Sequence, residues 1–101
     1  MKILAVGDLV GECGLNILKQ TLPKIRKEKN IDFVIVNAEN VASGMGITAK
    51  DFNELLKLKV DVITMGNHTW AKKDIFTFKG GNIIAIDSAN LTETTTTDIV
   101  L

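Results

Sequence analysis

Three short polar clusters in this 101-residue chain carry the residue types of a metal-assisted or acid–base site: Gly7-Asp8, Asn37-Ala38-Glu39-Asn40 and Gly66-Asn67-His68. Carboxylate, carboxamide and imidazole are hard or borderline donors, suited to Mg²⁺, Mn²⁺, Fe or Zn²⁺ rather than to soft thiolate-seeking metals. A carboxylate shared by two cations about 3.5–4 Å apart supports in-line displacement at a phosphate ester. The spacing is regular: Asp8 to Glu39 is 31 residues, and Glu39 to Asn67 is 28. Each interval is close to one strand-plus-helix unit. The clusters are therefore expected at the carboxyl ends of neighbouring parallel strands, where open α/β sheets bind ligands. Plainer readings stand beside this one for each residue taken alone. Asp8 suits a helix cap or turn, Glu39 a solvated loop, and His68 an ordinary surface or core position.

The elements that would position these clusters are legible as apolar runs. Ile3-Leu4-Ala5-Val6, Phe33-Val34-Ile35-Val36 and Val60-Asp61-Val62-Ile63-Thr64-Met65 are rich in β-branched residues and mostly lack polar alternation, as buried parallel strands do. Leu15, Leu18, Leu22 and Ile25 recur at helical spacing between the first two runs, with a kink or restart expected at Pro23. Lys24, Arg26 and Lys27 suit the negative end of that helix. Thr48 to Asp51 has capping-box spacing ahead of Phe52, Leu55 and Leu56. The fold class is thus α/β, a parallel β-α-β-α-β core with right-handed crossovers in one domain over residues 1–101. Beyond Trp70, a short helix from Lys72 to Phe78 and a fourth strand from Asn82 to Ile86 are expected. Residues 92–97 read as a loop or edge segment. The apolar triplet Ile99-Val100-Leu101 resembles the middle of a strand, so the chain reads as the N-terminal part of something longer, marginally stable and inclined to self-associate.

Composition sets limits on partners. Twelve basic and twelve acidic residues cancel, which excludes a general basic surface for nucleic acid or anionic membrane. Cys13 is the one cysteine, so no intrachain disulfide or cysteine-rich zinc site forms, and a reducing cytoplasmic setting is expected. The apolar start is only four residues long, far below the roughly 7–15 of a signal peptide or about 20 of a membrane span. His68 is the one histidine, so a mechanism needing several imidazoles must draw on residues outside these 101.

Other features are less specific. Ser43-Gly44-Met45-Gly46 is a flexible loop with the composition to approach a phosphate, while Gly7, Gly11 and Gly14 do not match the dinucleotide fingerprint. Cys13 reads as a small buried residue rather than an activated thiol. Trp70 suits a base-stacking platform and a core anchor equally.

Taken together, Met1 to Asp8 with Val10-Gly11, Asn37-Ala38-Glu39-Asn40, Ile47-Thr48 and Gly66-Asn67-His68-Thr69-Trp70 resemble the YmdB-like branch of the calcineurin-like metallophosphoesterases. The likeness covers residues 1–78, with Ala89-Asn90 as a looser match. It implies a phosphodiesterase acting on 2′,3′-cyclic nucleotides with two divalent metal ions (Mn, Fe, Mg or Zn). Its substrate would be a phosphodiester or cyclic nucleotide, an RNA-related compound among them. By the same resemblance Asp8 ligates the first metal, Glu39 bridges both and Asn67 ligates the second. Asn40 contacts metal or phosphate, and His68 is the catalytic group at the leaving oxygen. Family members run to roughly two and a half times this length and draw further histidine ligands from their second half. The alternative is a non-catalytic α/β module that binds a nucleotide or a protein partner.

Overall fold

Strands begin where β-branched residues can be covered by a helix, and the chain supplies such a helix after each of the first two. The computed structural model describes residues 1–66, 68, 70–74, 83–86 and 96–97. Within them run β1 (Ile3–Val6), α1 (Gly11–Lys29), β2 (Phe33–Asn37), α2 (Ala49–Lys57), β3 (Val62–Met65), β4 (Ile83–Ile86) and β5 (Thr96–Thr97). The sheet order is β1-β2-β3-β4-β5. The first four strands are parallel, and β5 joins β4 antiparallel. This is the expected parallel β-α-β-α-β core extended by the expected fourth strand, with Thr96–Thr97 as its edge.

Because strand order follows chain order, right-handed crossovers place α1 and α2 on the same face of the sheet. Burial agrees. Val34, Val36, Ile63 and Met65 are buried beneath the helices with Leu15, Leu18, Leu22, Phe52 and Leu55. On the other face Ile3 is 56% exposed, and Phe33, Ile35 and Val62 are only half-buried.

Local chemistry fixes the helix ends. Thr48 caps α2 through the full capping box with Asp51. The C-cap of α1, Asn30, takes the left-handed conformation. Arg26, in the last turn of α1, donates to the carbonyls of Leu58 and Lys59 just past α2, tying the two helix ends together. Pro23 does not restart α1, which runs as one helix with Pro23 on its exposed side. There the missing N–H frees a carbonyl that water can satisfy. Lys73 and Asp74 form a short 3₁₀ turn; the rest of the expected helix to Phe78, the Ala89-Asn90 pair and the Ile99–Leu101 triplet lie outside the described residues.

Candidate functional site

The three polar clusters do converge, and backbone pairing continued past the strands is the cause. Leu9 N–H donates to the Asn37 carbonyl at 3.0 Å, and Gly11 N–H to the Asn40 carbonyl at 3.1 Å. These bonds and the parallel bridge between Val10 and Asn40 carry the β1–β2 register into the loops. Ala38 N–H, bonded to the Thr64 carbonyl at 3.0 Å, does the same between β2 and β3. Leu9, Ala38 and Val41 are buried as anchors, leaving Asp8, Glu39 and Asn40 between them at the surface or half-buried. Asp8 has a φ of 37°, a conformation rare outside glycine and least costly for Asp and Asn; such outliers gather at functional sites.

The side chains form one connected set. Asn40 Nδ2 donates to Asp8 Oδ1 at 2.6 Å, and Asn40 Oδ1 faces His68 Nδ1 at 2.5 Å. Since the Asn40 nitrogen is used on Asp8, its oxygen must accept, so the proton of His68 sits on Nδ1. Among the described residues no hydrogen bond reaches His68 Nε2, which is left for a ligand. His68 backbone N–H donates to Glu39 Oε2 at 3.4 Å, and Nδ1 lies 3.8 Å from the same oxygen. Asn37 Nδ2 donates to Glu39 Oε1 at 3.4 Å. The structure thus brings together Asp8, Glu39, Asn40 and His68, while Asn67 lies outside the described residues.

Asn37 is the residue that sequence reading left without a role. Its Oδ1 is buried and accepts no hydrogen bond among the described residues, an arrangement that costs about 1–3 kcal/mol unless a ligand or ion satisfies it. The available signal was a polar side chain ending an otherwise apolar strand, β2. The donor set of carboxylate and amide oxygens with one imidazole suits a hard divalent cation. It is also incomplete: among the described residues no three His, Cys, Asp or Glu side chains gather around one point.

Other expectations are corrected. In the 43–46 loop the N–H groups of Ser43, Gly44, Met45 and Gly46 are all spent on nearby carbonyls, so none is free to cradle a phosphate. Cys13 is exposed rather than buried, because it falls on the solvent side of the first turn of α1. Trp70 is 46% exposed and does not anchor the core.

Comparison with known proteins adds the following. The family model described as YmdB-like protein matches residues 4–98. A 2′,3′-cyclic-nucleotide 2′-phosphodiesterase of Bacillus subtilis is 46% identical over 78 residues, which are 77% of this chain and 30% of that protein. A solved hypothetical protein of Thermus thermophilus superposes with a TM-score of 0.78 at 31% identity, covering 95% of this chain and 37% of that one. A structure described as a novel phosphatase from Mycoplasma pneumoniae gives 0.77 at 36% identity, covering 91% and 33%. The chain spans about a third of the length of these relatives.

Proposed function

This chain belongs to the YmdB-like family of the calcineurin-like metallophosphoesterases, and we propose that it carries part of a metal-dependent phosphodiesterase site acting on 2′,3′-cyclic nucleotides in the cytoplasm. The observation that carries the reading is the hydrogen-bonded set Asp8–Asn40–His68–Glu39 at the carboxyl ends of adjacent parallel strands. Asp8, Glu39 and Asn67 are the residues to hold two divalent cations (Mn, Fe, Mg or Zn). When bound, such cations neutralise the non-bridging oxygens of a phosphodiester and lower the barrier to attack on phosphorus.

The chain's own groups do the rest. Asn40 holds one ring proton on Nδ1 of His68 and so aims Nε2 outward. In the doubly protonated ring Nε2 carries the second proton, which passes to the departing oxygen or is shared with the phosphate, leaving the Nδ1–H tautomer that Asn40 favours. Glu39 Oε2 lies 3.8 Å from Nδ1 of the same ring. Asp8, tethered by the Asn40 amide, is held toward the group it must meet. Among the described residues the donors fall short of a full coordination sphere for two cations.

The test is hydrolysis of bis(4-nitrophenyl) phosphate with Mn²⁺ by the full polypeptide carrying these residues, beside its Glu39→Gln variant. Mn²⁺-dependent hydrolysis abolished by Glu39→Gln is expected. Equal rates in the two proteins, or no Mn²⁺-dependent rate at all, overturn the reading.

A further inference from the structure

Gly66 follows the last residue of β3, and its backbone does not require glycine: its φ lies outside the left-handed region. Space does. A Cβ at this position would stand 2.6 Å from Oε1, 2.7 Å from Oε2 and 2.8 Å from Cδ of Glu39. All three nearest atoms belong to one carboxylate, so the room left by the missing side chain is filled by the Glu39 head group. From other directions the same carboxylate is met by the Asn37 amide on Oε1 and by the His68 backbone N–H on Oε2. Asn37 is paired in register with Thr64 of β3, so the strands themselves fix how near the Glu39 loop comes to Gly66.

We propose that Gly66 and Asn37 are positioning residues for the Glu39 carboxylate, Gly66 by admitting it against the end of β3 and Asn37 by holding it there. That Glu39 then meets a cation rests on the function proposed above; its placement does not. Gly66 brings no side chain to the site, and Asn37 acts on the carboxylate through its Nδ2. Because the crowded atoms are the tip of a rotatable side chain, Gly66→Ala displaces the carboxylate rather than the strand, and the fold survives. Asn37→Ala removes the hold without adding bulk.

The experiment has two arms on the full polypeptide. In EDTA, the ¹H–¹⁵N resonance of the His68 amide reports the bond to Glu39 without any metal. It should shift in Gly66→Ala toward its position in Glu39→Ala, and adding Gly66→Ala to Glu39→Ala should move it no further. In the second arm, Mn²⁺ titrations of Gly66→Ala and of Asn37→Ala should each show a dissociation constant raised about 10–100-fold, the usual loss when a ligand's supporting partner is removed. Thermal midpoints should stay near that of the parent. An unshifted His68 amide and unchanged Mn²⁺ affinity in both variants overturn the proposal, as does a Gly66→Ala shift undiminished in the Glu39→Ala background. A parent that binds no Mn²⁺ while the amide shifts remain coupled sinks the metal reading and supports the placement. Should Gly66→Ala fail to fold, Asn37→Ala decides by the same two readouts.

Discussion

Two polar clusters in this molecule are built from similar residues and finished differently. At the start of α2, Thr48 Oγ1 donates to Asp51 Oδ2 at 2.7 Å and accepts from Asp51 N–H at 3.2 Å. Thr48 N–H returns to Asp51 Oδ2, and Ala49 N–H is taken by Asp74 Oδ2 at 2.9 Å. This cluster is closed. The set around Glu39 has two bonds at 3.4 Å, a buried amide oxygen on Asn37 with no partner among the described residues, and an aspartate at positive φ. It leaves capacity unspent. A cap saturates its donors because its job is to end a helix; a binding site keeps acceptors unsatisfied because its partner comes from outside.

The sharpest way to break this contrast is to remove one residue from the open cluster. His68→Ala should slow phosphodiester hydrolysis about 10²–10⁴-fold, the range for loss of general acid catalysis, while bound Mn²⁺ measured by elemental analysis stays near the parent's. Loss of metal equal to that in Glu39→Gln would make His68 a ligand instead. Next in size, Mn²⁺ at 100 times its dissociation constant should stabilise the protein by about 2.7 kcal/mol in denaturant melts, and Glu39→Gln should abolish that gain. Thr48→Ala should do the reverse. It should cost about 1 kcal/mol, about 4–8 °C in thermal midpoint, with no change in Mn²⁺ affinity.

The smallest effect belongs to the surface pair of Lys19 and Glu54, 3.1 Å apart. The Lys19 hydrogen bond holds the Glu54 carboxyl below its ordinary value. A depressed carboxyl favours the fold at neutral pH, and that contribution is lost as pH falls through the folded-state value. Urea midpoints of Glu54→Gln should therefore fall slightly at neutral pH and converge with the parent's in acid or high salt.

Much of this architecture is legible in the chain. Buried parallel strands advertise themselves as β-branched runs, and Asp8, Glu39 and His68 sit one crossover apart, so their convergence follows from topology alone. The capping box is legible for a similar reason, since its partners are three residues apart. What stays hidden depends on neighbours distant in sequence. Nothing local reveals that the amides of the 43–46 loop are consumed by Glu39 to Ala42, that Pro23 falls where α1 faces water, or that Gly66 is small to make room for a side chain 27 residues earlier. Asn37 belongs to the same class: its orphaned oxygen exists only once β2 and β3 have closed around it.

The strand order has a kinetic consequence. Every parallel strand lies beside the one made just before it, so a chain leaving the ribosome always finds its docking edge already present. At roughly 5–20 residues per second, Asp8 and Asn40 can meet roughly 1–6 s before His68 emerges. For that interval the Asn40 amide oxygen has no imidazole to hold. The site is assembled in the order of translation, the Asp8–Asn40 contact first and the end of β3, which seats the Glu39 carboxylate and brings His68, last.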